Sequence, residues 1–215
     1  TDGFDWQRRK WGQVARAYLR FSEAVAARFV ATDLICDSRA VQPYYLKKYG
    51  RVAKYIGYGA EVNRRLHGDV INEYGLERGG YYLVVARMEP ENNIDVIVRE
   101  HTAAGVGRVL AMVGSVNYNS GYLEELKRKA PSTVRFLGGV YADNHLDHLY
   151  ANAYAYIHGH EVGGTNPSLL HAMGHGLAAM ALDVPYNREV LDAAGLYFDK
   201  SIGSLASLIL SLIHI

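Results

Sequence analysis

The chain reads as an α/β protein: a Rossmann-like, doubly wound parallel sheet, entered through part of a second domain. Three observations predict this. Beyond Gly79 and Gly80, short apolar runs alternate regularly with segments of helical periodicity. The runs are apolar enough to be buried on both faces, as strands covered on both sides by helices must be. At 215 residues and 49% hydrophobic content, the chain can bury one full domain and part of another.

From the N-terminus, Val14, Tyr18, Phe21, Val25 and Phe29 recur at helical spacing, with Arg16, Arg20, Glu23 and Arg28 between them, and predict an amphipathic helix. "DLICDS" reads as a short buried strand and Ser38 as an N-cap. "RAVQPYYLKKYG" reads as a segment stopped by Gly50, and "AKYIGYGAEVN" as a strand and turn. The regular region follows, with strands in "YYLVVAR", "RVLAMVG", "TVRFLGG", "AYAYIHG", "LAAMAL" and "GLYF". Helices are expected over 94–102, 122–130, 145–153, 167–174 and 187–194.

A formal net charge of +1 gives no global attraction to nucleic acid, so none is expected as a partner. Cys36 is the one cysteine and sits in an apolar run, which suits a buried structural thiol and rules out a disulfide within the chain. There is no signal-peptide pattern and no apolar run of the ~18 residues needed to cross a bilayer, which makes the cytoplasm the expected compartment. The chain opens without an initiating methionine. It ends in "LSLIHI", a string that a transposon mosaic-end adapter also encodes, and residues 210–215 are therefore read as a non-native tail.

In doubly wound sheets, ligands collect at the carboxyl ends of the strands. Four loops there carry unusual chemistry: "ARMEPENN" (86–93), "GSVNYNSG" (114–121), "GGVYADN" (138–144) and "HGHEVGGTN" (158–166). Asn166 is a good N-cap and Pro167 suits a first helical turn, so Gly163, Gly164 and Thr165 lie at the positive end of a helix. Amides there would cradle a phosphate, although glycines also serve plain turns. Arg87, closing the first strand of the domain, could reach the same crevice with a charged fork. His158, His160, Glu161, His171 and His175 invite a metal, with His171 and His175 at ligand spacing on a helix. No cysteine or second clustered carboxylate joins them in sequence, so hydrogen bonding is the preferred reading and no metal is assigned. "WQRRKW" interleaves aromatic and basic residues; it suits either an interfacial helix touching anionic lipid or a solvated helix start.

Taken together, "DGFDWQRRKW", "CDSRAVQPYY", "YIGYGAE", "YYLVVARMEPENNID", "FLGGVYADNHLDHLYANAYAYIHGHEVGGTNPSLLHAMGHG" and "ALDVPYNREVL" resemble bacterial glycosyltransferases of the GT-B fold, in family four, the rhamnosyltransferase-like group. The resemblance spans nearly the whole chain and implies two facing Rossmann-like domains, acceptor on the first and nucleotide-sugar on the second. Residues 1–60 would be the C-terminal remnant of the acceptor domain, lacking roughly its first hundred residues. Residues 61–74 would be the interdomain hinge and 75–209 the nucleotide-sugar domain.

By the same resemblance, Arg87 and Glu161 are the catalytic candidates, Arg87 meeting the donor diphosphate. Asn92 occupies the position, five residues on, where the family places a basic residue. Gly114, Gly163, Gly164, Thr165 and Asn166 fall on the donor side, and the backbone of Val140 borders the nucleobase. The family's glutamate pair would fall at Gly163, with Glu161 two residues early, and at His171, which takes the ribose position. Asp2 and Gly3 face the acceptor. The implied reaction is retaining transfer of a hexose, rhamnose first, from dTDP-rhamnose or another nucleotide-diphosphate sugar. No cofactor and no metal take part. The acceptor would be a cell-surface polysaccharide or polyprenyl-linked glycan, with peripheral contact at the inner face of the plasma membrane. A non-catalytic nucleotide-sugar module and a GT-B sugar-nucleotide epimerase are the alternatives.

Overall fold

The computed structural model describes residues 4–62, 66, 69–116 and 121–212. Asp2 and Gly3, and residues 117–120 of the second loop, lie outside them. Its core is a six-stranded, wholly parallel sheet made of β3 (Tyr81–Val85), β4 (Val109–Val113), β5 (Val134–Gly138), β6 (Ala155–His158), β7 (Ala179–Leu182) and β8 (Leu196–Phe198). The strand order is β5-β4-β3-β6-β7-β8, so the chain works outward from β3 and then returns to its other side. All six expected strands are present, each shortened by the residues that turn into loops.

The sheet is buried on both faces because alternate residues face different helices. Tyr82, Val84, Leu110 and Met112 join Ile94, Ile97, Leu205 and Ile209 of α3 (Ile94–Ala104) and α8 (Ser204–Leu212) in one core layer. Tyr81, Leu83, Ala111 and Val113 join Leu149, Leu169 and Leu191 of α5 (His145–Asn152), α6 (Pro167–Gly174) and α7 (Pro185–Leu191) in the other. α4 (Gly121–Lys129) adds Leu126 to the first layer. Residues 210–212 form the last turn of α8, where Leu212 is buried and its carbonyl accepts the Tyr154 hydroxyl; apolar residues at helical spacing complete that helix whatever their origin.

Ahead of this domain lie α1 (Gln13–Val25), β1 (Leu34–Cys36), α2 (Gln42–Tyr49) and β2 (Ala53–Tyr55), with β1 and β2 paired in parallel. Ser38 caps the turn into α2, its hydroxyl accepting from the Ala40 amide at 3.2 Å, and Gly50 ends α2 at φ 64°. Two expectations fail here. β1 is not a fully buried strand, since Ile35 is exposed while Leu34, half-buried, and Cys36 face the core. α1 shows Val14, Tyr18 and Phe21 to the outside and turns Glu23 inward, as the π-helical turn that follows it does Ala27. The cause is polar: Glu23 accepts hydrogen bonds from Trp6 Nε1 at 3.0 Å and Lys48 Nζ at 3.1 Å, and from the Tyr44 and Tyr49 hydroxyls. A carboxylate so satisfied can be buried, and this fixes which face of α1 packs inward.

Candidate functional site

The reversal of strand order between β3 and β6 sends their following loops apart and opens a crevice at the carboxyl edge of the sheet. The loops are tied to one another around it. Met88 N–H donates to the Ser115 carbonyl at 3.2 Å, and Gly114 N–H to that of Gly138 at 2.8 Å. Gly114 sits at φ 146°, and a Cβ there would overlap the Ala86 carbonyl, so only glycine lets the first two loops approach this closely.

Asn92 is buried and braces the first loop against the fourth. Its amide donates to the Arg87 carbonyl at 2.7 Å, which orients the side chain and turns Oδ1 to His160 Nδ1 at 2.8 Å. Nδ1 is therefore the protonated nitrogen of His160. Asn187 holds the His160 carbonyl from α7 at 3.1 Å. The uncharged residue at this position thus shapes the loop carrying Arg87.

The cleft so formed encloses about 360 Å³ and is lined by Arg87, Asn92, Gly114, Ser115, Val140, Tyr141, His160, Asn166 and Ser168, among others. Five residues expected from the sequence meet here: Arg87, Asn92, Gly114, Val140 and Asn166. Asn166 caps α6 as anticipated, accepting the Ser168 amide at 3.0 Å and the Ser168 hydroxyl at 2.7 Å. The positive end of the α6 dipole therefore opens into the cleft. Arg87 stands opposite, its side chain 41% exposed and its guanidinium 3.8 Å from Glu89. Beneath it Glu89 is buried, with Arg8 at 3.9 Å and Lys10 at 3.7 Å as further neighbours, so one carboxylate is surrounded by three cations. Asp5 neutralises Arg8 at 2.6 Å, so these three cations outnumber the two carboxylates by one, which favours a polyanion.

The remaining candidates lie elsewhere. Glu161, expected at the catalytic centre, is outside the cleft lining. Its carboxylate is paired with Arg9 at 3.4 Å and with Lys200, and accepts from Asn93 Nδ2 at 3.2 Å. Gly163, at φ 123°, and the two residues after it are likewise absent from the cleft wall. Gly164 lies so close to the Asp37 carboxylate that a Cβ would overlap it, and the Thr165 hydroxyl donates to the Asp37 carbonyl at 2.7 Å. A loop of the first domain has closed over this glycine turn, which is why the expected cradle faces Asp37 instead. His171 is half-exposed on α6, with Nδ1 3.9 Å from Asp147 Oδ1 and its ring beside Tyr150.

The basic residues of "WQRRKW" are turned toward the second domain. Arg8 pairs with Asp5 at 2.6 Å and approaches Glu89, Lys10 also meets Glu89, Arg9 meets Glu161, and the Arg9 amide donates to Glu91. The same seam is joined at Glu189, which accepts from the Ser38 hydroxyl at 2.5 Å and the amides of Arg39 and Ala40 at 2.8 and 3.2 Å. His158 is buried beside His160; desolvation, reinforced by that neighbour, pushes its pKa down to about 3 and keeps it neutral.

His160, read from the sequence as a hydrogen-bonding histidine, bonds Asn92 on the cleft wall. Sequence reasoning missed three residues: Ser168 lies on the cleft wall, Glu89 is buried beneath Arg87, and Asp147 adjoins His171. Glu89 and Glu91 flanking Pro90 were a signal for Glu89, since paired acids beside an arginine invite an ion network. Asp147 gave none, because it reaches His171 only through the packing of α5 on α6.

Residues 1–61 match a domain family described only as of unknown function, DUF1972. Residues 80–214 match the family described as glycosyl transferases group 1. No curated protein matches the chain. Among solved structures, Anabaena Alr3699/HepE in complex with UDP-glucose is similar at TM-score 0.82 and 19% identity, over 98% of this chain and 61% of that one. A glycosyltransferase from Rickettsia africae ESF-5 gives TM-score 0.74 at 14% identity over 93% and 57% of the two chains. The pneumococcal O-GlcNAc transferase GtfA in complex with UDP and GlcNAc gives 0.63 at 17% identity over 92% and 40%. The chain thus spans less than two thirds of each of these proteins. These similarities establish an α/β fold of the GT-B type. With the group 1 family matched over well more than half of its length, the chain belongs to the glycosyl transferases group 1 family.

Proposed function

We propose that this chain carries the donor site of a retaining glycosyltransferase that moves a hexose, rhamnose first among candidates, from a nucleotide-diphosphate sugar to a glycan or polyprenyl-linked acceptor. The observation that carries the reading is the cleft at the sheet's carboxyl edge, where Arg87 faces the N-terminus of α6 across about 360 Å³. Breaking a glycosidic bond to a nucleoside diphosphate develops negative charge on the departing phosphate oxygen. A guanidinium fork and a helix terminus fixed around that oxygen stabilise the charge as it forms. The Gly138 to Tyr141 loop supports a base on the far side, with Val140 lining the wall. HepE and GtfA were both solved with UDP, which supports a pyrimidine nucleotide; dTDP-rhamnose and UDP-sugars are the donors to compare.

Among the described residues no helix is long and apolar enough to cross a membrane, so a lipid-linked acceptor would bring the protein to the inner membrane face as a peripheral visitor. Calorimetry with dTDP, dTDP-rhamnose, UDP and UDP-glucose tests the donor. Incubation with a polyprenyl-diphosphate sugar, with the product's anomeric configuration read by NMR, tests transfer and retention. Binding of none of the four nucleotides removes the proposal.

One observation favours a second reading, a binding module without turnover. Glu161 is held between Arg9 and Lys200, and His171 stands where the resemblance expects a carboxylate. Tight donor binding with neither hydrolysis nor transfer supports this reading; sugar transfer excludes it.

A further inference from the structure

We propose that Asp147, His171 and His175 form a binding site for one divalent transition-metal ion of the zinc class. His171 and His175 are four residues apart at the end of α6, and Asp147 approaches from the first turn of α5. Asp147 Oδ1 is 3.4 Å from His175 Nε2 and 3.9 Å from His171 Nδ1, and all three ligand atoms lie within 4.8 Å of one another. Zinc binds imidazole nitrogen and carboxylate oxygen at about 2.0–2.2 Å, so ligands of a tetrahedral ion stand roughly 3.4 Å apart. One pair already has that spacing, and a small rotation of the half-exposed His171 closes the rest.

Two further features point to a ligand. His175 is buried, only 3% of its side chain being exposed, and its Nε2 is aimed at the gap. Its ring stacks on Tyr150 at 5.5 Å and 5°, and the Tyr150 hydroxyl is anchored to the Ser168 carbonyl at 3.1 Å. The imidazole is therefore held in place before any ion arrives, as second-shell packing holds metal ligands. His175 Nδ1 finds no hydrogen-bond partner among the described residues, so the protein itself gives this buried ring little beyond Asp147. Two imidazoles and one carboxylate select zinc, cobalt, nickel or copper over magnesium or calcium, which prefer oxygen alone. The exposed side of His171 leaves the fourth position to water. Bound there, the ion would tie α5 to α6. His171 is also the residue that the resemblance sets at the ribose position, so the metal is titrated without nucleotide, and failure of this site would leave the cleft of Arg87 and Asn166 untouched.

The test is titration of the tag-free chain with Co²⁺ followed by visible absorption. One equivalent is expected to give the intense d–d bands of a tetrahedral site, and Zn²⁺ to abolish them. Asp147→Asn, nearly isosteric, and His171→Ala, at a half-exposed position, are each expected to weaken binding at least tenfold while circular dichroism stays unchanged. His145→Gln, outside the trio, is expected to bind as the parent does. Absence of the bands, or their persistence in both Asp147→Asn and His171→Ala, overturns the proposal and leaves Asp147 and His175 as a hydrogen-bonded pair only.

Discussion

Replacing Arg87 by alanine should weaken binding of a nucleoside diphosphate by about 1.5–2 kcal/mol, a loss of roughly ten- to thirtyfold. A hydrogen bond to a charged group contributes about 1.5–3 kcal/mol. Two features place Arg87 in the lower part of that range: its side chain is 41% exposed, and its charge is already shared with Glu89 at 3.8 Å. Losing the guanidinium also leaves Glu89 less neutralised beside the cleft, which acts against an incoming phosphate. Lysine at this position should recover part of the loss, because it keeps the charge but not the two-pronged geometry. The assay is calorimetry of parent and variant with dTDP and, separately, with thymidine. The nucleoside should bind both proteins alike. Equal dTDP affinity in parent and variant, or an equal loss for thymidine, would refute the placement of the diphosphate at Arg87.

The seam, the loop glycines and the buried histidine give further expectations. Gly114→Ala should destabilise the chain by more than about 2 kcal/mol in urea unfolding, because φ 146° and the Ala86 carbonyl both oppose a Cβ; an unchanged midpoint would contradict that contact. Gly164→Ala should cost at least about 1 kcal/mol less in an Asp37→Ala background than in the parent, whereas additive costs would show that Asp37 does not rest on the glycine. Glu189→Ala should cost about 1–2 kcal/mol, because it strips the Ser38 hydroxyl and the Arg39 amide of their acceptor and leaves the Ala40 amide only Ser38 Oγ, and glutamine should restore part of it. His158 contributes a pH dependence of known sign. Its pKa is depressed to about 3 in the fold, so below its ordinary value near 6.5 the unfolded chain takes up a proton that the fold refuses. This stability is complete above pH 6.5 and declines toward pH 3 by up to about 1.4 kcal/mol per unit. His158→Phe should therefore unfold with a shallower pH slope between 6.5 and 4.5; identical slopes would mean that His158 is not buried as a neutral base.

The second domain was legible in the sequence because its signals are local. Short, mostly apolar runs marked every strand of the large sheet, and Asn166-Pro167 marked the start of α6 to the residue. The cleft was legible in part, since strand ends must carry the loops and Arg87, Gly114, Val140 and Asn166 all close a strand or open a helix. What escaped depends on contacts between distant segments. The inward face of α1 was misread because Glu23 is made buriable by Trp6, Tyr44, Lys48 and Tyr49, none of which its own periodicity reveals. Gly164 and Thr165 carry the pattern of a phosphate turn, and nothing in it tells that Asp37, 127 residues earlier in the case of Gly164, will lie on them. The basic stretch near the N-terminus had a composition suited to lipid, yet Glu89, Glu91 and Glu161 give its residues partners within the chain.

The most direct test of the donor cleft is a crystal structure of the chain with dTDP or UDP bound. The account predicts the diphosphate between the Arg87 guanidinium and the Asn166-capped N-terminus of α6, where the helix dipole rather than a free amide meets it, with the base against the 138–141 loop. A nucleotide seated instead in the groove between α3 and α4, near Asp95 and Tyr122, or a cleft left empty at saturating nucleotide, would contradict it.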